Sequence, residues 1–527
     1  MDFSRLLTKC LIEEGVTRIY GLAGESNINF LSELKNQNTI RYISTANESG
    51  AAFMAATEGR LTGKPGVVMT TLGPGALNAC NGVAYSFLGG FPLVFLSWQG
   101  SKSIGFRDNK FQIIDIKSVY SPIVKEAISI DDPELLTSYI RNAFELSIEG
   151  KPGPILLEIP ENISEHMVKL NTEPLKKNKT LKLHPDDGDL QTALEMLNSS
   201  KKPLIINGVR SSTPHISKAL MELVAHTGIP CISTHMGQGS VYGKYHLGNF
   251  YKSDVQEYKN VCKESDLIIT IGYDTLEYSP LNWNIGNKKI IIDIDIFYST
   301  RHYQFNPDIS LQGDIADTIQ YFIENTKPKN QWKKPSNNKT TGVSHNNKIH
   351  PVDLIKELNT IKNSRFLHDN GLHKIWMTKY FRSKKVNHVI VDNTLASMGC
   401  GIPAGIVSKL VNPELDTYVC IGDGGLLMTL GEIATAKESG LDLTILIWNS
   451  NSHGMIEKHF NDRNLEPFGT AIGNYQYEAF DQVFGVKSFH CDNLVDLKKT
   501  LIEVPKISGI KIVNILVDYS NSIDYLP

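Results

Sequence analysis

The stretch CIGDGGLLMTLGEIATAKESGLDLTILIWNSNSHGM, residues 420–455, decides the architecture of this chain. Residues 416–421 read as an apolar strand that runs into Gly422-Asp423-Gly424. An amphipathic helix is expected over 426–439, and a second apolar strand over 443–448 delivers the polar cluster Asn449-Ser450-Asn451-Ser452. Strand, glycine turn, helix, strand is a βαβ unit, whose two polar ends lie at the carboxyl ends of neighbouring parallel strands. Glycines there let backbone N–H groups approach a phosphate, and a helix N-terminus adds favourable partial charge. Asp423 followed by oxygen-bearing side chains suits a hard cation such as Mg²⁺. A Gly-Asp-Gly turn alone is commonly punctuation. The second cluster, with 24 residues from Gly425 to Trp448 between, is what points to a metal-bridged diphosphate.

Working toward the N-terminus, 350–419 alternates helix and strand in the same manner, with strands at SRFLHDN and NHVIVDN and a helix through WMTKYF. Residues 327–349, KPKNQWKKPSNNKTTGVSHNNK and its surroundings, are poor in apolar residues and rich in Asn, Lys and Pro, which reads as a linker. Before it, KKPLIINGV, GIPCIST, SDLIITIGY and KKIIIDID are strands of an alternating block over 188–326. A first block over 1–170 has strands at TRIYG, RYIST, VVMTT, FPLVFLSWQG and PGPILLEIP. The expected fold class is therefore α/β, with three doubly wound parallel-sheet domains: 1–170, 188–326 and 350–527. The first and third each carry a glycine-rich turn after a strand, which suggests a duplicated binding architecture.

Composition narrows the function classes. At 527 residues the chain exceeds one hydrophobic core. A net charge of -3 offers no electrostatic reason for nucleic acid or an anionic membrane. No apolar run is long enough to span a bilayer and no signal peptide is evident. Seven cysteines, scattered and never spaced CxxC, argue against structural zinc and a disulfide framework, so a reducing cytoplasm is the expected compartment.

Glu48 opens a helix of small and apolar residues, ESGAAFMAAT. It is either a capping charge or a carboxyl group in an apolar pocket that bonds a ring nitrogen of a bound heterocycle. Gly73-Pro74-Gly75 is a tight turn at a strand's carboxyl end. Gln112 follows Phe111 in a polar loop, and Met398 stands amid small residues in NTLASMGCG, where core filling is the simplest reading.

Together these pieces resemble the thiamine diphosphate-dependent decarboxylase and carboligase superfamily, and within it the acetolactate synthases of the catabolic, flavin-independent branch. AAFMAATEGRLTGKPGVV after Glu48, TIGYDTLEYSPLNWN, HKIWMTKYFRS, GDGG and the late VDYSNS carry the similarity. It implies an N-terminal pyrimidine-binding domain, a central structural domain and a C-terminal diphosphate-binding domain. It also implies a homodimer or homotetramer with sites at subunit interfaces. Glu48 is then the residue that contacts the aminopyrimidine, and Gln112 the polar contact to substrate. His373 and the turn Gly422, Gly424 and Gly425 hold the diphosphate, with Gly24, Gly73, Gly454 and Met455 completing the cofactor contacts. The Ala396 carbonyl meets the aminopyrimidine, and Met398 is the apolar wedge under the bent cofactor. Asp423, Ser450 and Ser452 are the implied Mg²⁺ ligands. FAD is not expected.

The implied reaction is decarboxylation of a 2-oxo acid such as pyruvate and transfer of the acyl unit to a second carbonyl compound. A simple decarboxylase, a carboligase with a specialised acceptor and a non-catalytic homologue are the alternatives. Four positions depart from the family pattern. Ser450 stands where relatives place Asp or Asn, so metal affinity falls unless Asn449, Asn451 or water substitutes. Asn47 replaces a His, and Leu372 and Ala396 replace more polar residues. Phe111 agrees with the biosynthetic branch.

Overall fold

The computed structural model describes residues 2–101, 112–169, 172–177, 182–251, 256–286, 288–299, 301, 303–329, 331–335 and 348–519. Among them the strands form three six-stranded parallel sheets flanked by helices. The first sheet contains β1 (Arg18–Gly21), β2 (Arg41–Ser44), β3 (Gly66–Thr70), β4 (Leu93–Gln99), β5 (Glu126–Ser129) and β6 (Pro154–Pro160), in the order β2-β1-β3-β4-β6-β5. The second contains β7 (Pro203–Asn207), β8 (Cys231–Ser233), β9 (His246–Asn249), β10 (Leu267–Ile271), β11 (Ile291–Asp295) and β12 (Ile309–Gln312), ordered β12-β11-β10-β7-β8-β9. The third contains β13 (Ser364–His368), β14 (Val389–Ile390), β15 (Asp416–Gly422), β16 (Leu443–Asn449), β17 (Lys487–Cys491) and β18 (Ile510–Leu516), ordered β14-β13-β15-β16-β18-β17. The first and third sheets thus repeat one strand order, as the paired glycine turns suggest.

Central strands such as β4 and β16 are buried along their whole length, which is why they read as largely apolar runs, with only Ser97, Gln99, Thr444 and Asn449 polar. Strands β5, β9 and β12 carry no such signal. All three are sheet edges with half-exposed faces, so polar residues sit in them without cost and the sequence pattern dissolves.

The helix expected over 426–439 is broken in two, Asp423–Met428 and Glu432–Glu438. At the break the Thr429 hydroxyl donates to the Gly399 carbonyl at 2.9 Å, and Glu432 N–H bonds back only three residues to Thr429. A hydroxyl that pulls away from its own helix and a glycine at 431 end the first helix early. The start of the expected linker is also more fixed than its composition implies. The Trp332 indole N–H donates to the Pro203 carbonyl at 2.7 Å, and the Lys329 ammonium donates to the carbonyls of Asn198 and Ser200. Residues 336–347 of that linker lie outside the described residues, as does Phe111.

The chain divides into two compact units. One comprises Met1–Thr180, Leu395–Glu414 and Leu426–Leu443, and the other Leu181–Thr394, Leu415–Gly425 and Thr444–Pro527. The first unit therefore holds the first sheet with helices Gly401–Val411 and Glu432–Glu438. The second unit holds the second and third sheets, and one apolar cluster runs through it from Leu204 and Trp283 to Phe366 and Trp448. Among the described residues no helix is long and apolar enough to cross a membrane.

Candidate active site

Open parallel sheets bind ligands beyond the carboxyl ends of their strands, where the strand order reverses. In the first sheet that point falls between β1 and β3, and in the third between β13 and β15.

In the first unit, Gly24 follows β1 and lies so close to Thr71, which follows β3, that a Cβ on it would come within 2.7 Å of the Thr71 Cβ. Ser26 and Thr71 share a hydroxyl hydrogen bond of 2.6 Å, which ties the two loops together. Gly73 adopts φ +56°, with the Gln112 carbonyl packed where a side chain would begin. Gln112 is itself at φ 66° with an exposed side chain. A cleft of about 520 Å³ opens here, lined by Gly24, Thr71, Gly100 and Gln112, and among the described residues its charged lining residues are Glu25, Glu161 and Glu165. Gly24 and Gln112, expected at one site, share this cleft.

Glu48 begins the helix Glu48–Thr62. Asn47 caps it, its side-chain oxygen accepting the Ser49 N–H at 2.8 Å, so this departure from the family pattern has a local structural task. The helix is made of small residues because helices Cys80–Gly89 and Gly401–Val411 pack closely on it. Gly82 approaches so near that a Cβ would fall 2.5 Å from that of Ala52. Glu48 is 4% exposed. Asn78 donates to its Oε2 at 3.0 Å, and its Oε1 faces Gly75. The Gly73-Pro74-Gly75 turn therefore touches Gln112 at one end and Glu48 at the other. Ala396 and Met398 belong to the same unit. Ala396 adopts φ 54°, a left-handed placement that costs a non-glycine residue about 1–2 kcal/mol and persists only where its surroundings enforce it. Met398 is partly exposed and not core filling.

In the second unit, β13 runs into Asp369 and the helix Leu372–Tyr380, and β15 into the glycine turn. A Cβ on Gly425 would lie 2.7 Å from the Asp369 carboxylate, and one on Gly424 would lie 2.6 Å from the His453 ring. Gly422 is not crowded in this way, since a Cβ on it would meet the His373 ring at an ordinary 3.6 Å. His373 is 3% exposed, and neither of its ring nitrogens has a hydrogen-bond partner among the described residues. Burial, assisted by the neighbouring Lys374 ammonium, pushes its pKa down to about 3, so it is a neutral donor near neutral pH.

Asp423 is 3% exposed, and its carboxylate accepts the backbone N–H groups of Gly424 at 3.1 Å and Ser450 at 3.3 Å. Burial raises its pKa, and the backbone N–H groups of Gly424, Ser450, Asn451 and Ser452 oppose that rise. The Ser450 hydroxyl donates to the Ser452 carbonyl at 3.2 Å. Asn449 is committed elsewhere: its amide N–H donates to Asn514 and its oxygen accepts the Asn451 N–H. Asn451, at φ 55°, keeps a buried side-chain oxygen with no partner among the described residues. A second cavity of about 250 Å³ is lined by Leu372, Ser450, Ser452, Gly454, Lys348 and Tyr519, among others. Met455 packs, partly buried, on the apolar cluster of this unit.

These groups can be tested against a diphosphate and its metal. The orphaned, neutral, buried His373 beside a turn that excludes side chains fits phosphate oxygens. Ser450 Oγ and Ser452 O lie close to the about 2.9 Å edge of a Mg²⁺ octahedron, beside the Asp423 carboxylate. The donor set fits Mg²⁺, with one carboxylate among neutral oxygens. Among the described residues no group of three His, Cys, Asp or Glu is placed to hold a metal. Asn78, Asp369 and His453 were not anticipated. Asp369, an acid at the end of a strand, and His453, inside the opening stretch, left a signal in the sequence, and Asn78 left none.

Residues 1–119 match the family described as thiamine pyrophosphate enzyme, N-terminal TPP binding domain. Residues 190–322 match its central domain and 369–515 its C-terminal TPP binding domain. The acetolactate synthase of Bacillus subtilis (strain 168) is 27% identical over 99% of this chain and 94% of its own length. The catabolic acetolactate synthase of Raoultella terrigena is 28% identical over 98% and 95%. The large subunit of acetolactate synthase isozyme 1 of Escherichia coli (strain K12) is 26% identical over 96% and 92%. With all three domains matched in order and relatives aligned along nearly their full length, the chain belongs to the thiamine pyrophosphate-dependent enzymes, among which it resembles acetolactate synthase.

Proposed function

We propose that this protein is a carboligase of acetolactate-synthase type, which decarboxylates a 2-oxo acid, pyruvate first, and joins the acyl unit to a second carbonyl compound. The observation that carries this reading is Glu48, a buried carboxylate beside the Gly73-Pro74-Gly75 turn with one oxygen held by Asn78. Thiamine diphosphate, when bound, supplies the electron sink for loss of CO₂. Glu48 Oε1 is the atom that holds a proton at the aminopyrimidine ring. His373 donates a ring N–H to the diphosphate, the backbone of Gly424 and Gly425 approaches it, and Asp423 with Ser450 and Ser452 supplies oxygens to Mg²⁺. Gln112 and the cleft it lines are the proposed place for substrate.

One observation favours a specialised acceptor. Among the described residues the charged ones lining that cleft, Glu25, Glu161 and Glu165, are all acids, which disfavour a second anionic oxo acid and suit a neutral carbonyl compound. Incubation of the protein with thiamine diphosphate, Mg²⁺ and pyruvate, alone and with neutral aldehydes or ketones, followed by mass spectrometry, decides among these readings. A coupled product confirms the carboligase, and aldehyde without coupled product makes the protein a simple decarboxylase.

The second sheet has the strand order of a dinucleotide-binding fold. Its reversal point, between β7 and β10, is occupied from within. The Glu277 carboxylate accepts the Val209 N–H at 2.8 Å and the Thr234 hydroxyl, and a Cβ on Gly208 would lie 2.9 Å from it. A carboxylate where a pyrophosphate belongs supports a central domain without flavin, and the purified protein is expected to be colourless. Ser450→Asp is expected to tighten Mg²⁺ binding about tenfold in a calorimetric titration, because it replaces a hydroxyl by an anionic ligand. Unchanged or weaker affinity would show that the metal is ligated differently.

A further inference from the structure

Glu432 is 1% exposed, yet it is a carboxylate in the first unit and no sequence motif marked it. Its Oε1 accepts the Asn47 N–H at 3.2 Å, and its Oε2 accepts the Ala46 N–H at 3.4 Å, a proton shared with the Thr435 hydroxyl at 3.1 Å. Two further contacts show that this docking is built in. A Cβ on Gly50 would fall 2.1 Å from Glu432 Oε1, and one on Gly431 would fall 2.9 Å from the Ala46 Cβ. At its far end the same helix is held by Arg41, whose guanidinium donates to the Ser439 carbonyl at 2.9 Å. The helix Glu432–Glu438 thus lies along the segment from β2 to the first turn of the Glu48 helix, and Glu432 grips the two residues that precede Glu48.

We propose that Glu432 is the positioning residue for Glu48: its two carboxylate oxygens fix the backbone of Ala46 and Asn47 and so set where the Glu48 side chain starts. This rests on the reading that Glu48 acts on the cofactor. A catalytic carboxylate displaced by an ångström loses much of its effect, and a side chain at a helix start can be held only as firmly as the chain that enters the helix. Burial raises the pKa of Glu432, and the hydrogen bonds from Thr435, Ala46 and Asn47 oppose that rise.

Because both oxygens accept, glutamine is no substitute despite its shape: its NH₂ would face a backbone N–H, donor against donor. Gly50→Ala provides an independent variant. The methyl that alanine adds meets Glu432 Oε1 and displaces it, whereas helix propensity alone would favour alanine there, so loss of protection over 44–50 reports the contact. The experiment compares wild type, E432Q, G50A and E48Q. Amide hydrogen exchange of the cofactor-free protein is read on peptides covering residues 44–50 and 52–62, together with exchange of the C2 proton of bound thiamine diphosphate and cofactor affinity.

Exchange over 44–50 is expected to rise at least about tenfold in E432Q and G50A, with 52–62 unchanged. C2 exchange and kcat are expected to fall about tenfold or more while cofactor affinity stays near wild type. Wild-type amide protection and wild-type C2 exchange in either variant would overturn the proposal, as would a uniform rise across both peptides. If E432Q does not fold, G50A decides. If E48Q itself retains full C2 exchange, the functional reading of Glu48 fails instead, while protection over 44–50 still reports on the Glu432 contact.

Discussion

Glu48→Gln is expected to lower kcat by about 10²–10⁴-fold, the usual contribution of one positioned acid–base group, with the fold and thermal midpoint retained. The carboxylate sits where substitution by an isostere is structurally mild. Its Oε2 accepts one bond from Asn78, which a glutamine oxygen can also accept, and the helix it begins is capped by Asn47 rather than by Glu48. What glutamine cannot do is exchange a proton with a ring nitrogen. The decisive measurement is single-turnover kinetics beside circular dichroism. A variant with full rate would remove the central support of the proposed chemistry, and a variant that loses its fold would show that Glu48 is structural.

Asp423→Asn is expected to weaken metal-dependent cofactor binding by at least about 100-fold, because it removes the one anionic ligand from a set otherwise made of hydroxyl and carbonyl oxygens. The change also turns an acceptor into a donor where backbone N–H groups converge. The carboxylate now accepts from Gly424 and Ser450, and an amide NH₂ there faces like donors. A titration of Mg²⁺ in the presence of thiamine diphosphate, followed by calorimetry, checks it. Since burial raises the pKa of Asp423, metal and proton compete for one carboxylate. Affinity should therefore fall as pH is lowered through that raised pKa, and Asp423→Asn should flatten the dependence. Wild-type affinity in this variant would place the metal on other oxygens.

The three-sheet architecture could be read from the sequence because a parallel strand buried on both faces is mostly apolar, and VVMTT, FPLVFLSWQG and LTILIW announce themselves. Edge strands such as HLGN in β9 are held by neighbours on one side only and follow no such rule. Within the proposed site, Asp423 in its glycine turn and Glu48 at a helix start were readable as candidates from the residues, whereas Gly24 and His373 came from the family resemblance. Their partners could not be read. Asn78 and Glu432 matter through contacts with residues 30 and 385 positions away, and no local pattern encodes that separation. The break in the helix after Met428 was equally hidden, since the Thr429 hydroxyl bonds to a carbonyl on another segment.

The repeated strand order of the first and third sheets has one more consequence. A scaffold used twice with different outcomes separates inheritance from invention: the strands preserve the frame, and the short turns after its first and third strands write the chemistry. In one copy those turns are LAGES and TLGPG, in the other DNGLH and DGG. New substrate preferences are then most economically sought by exchanging turns while leaving every strand untouched, and a chimera carrying a relative's turns on this frame should fold as this protein does and choose as the relative does.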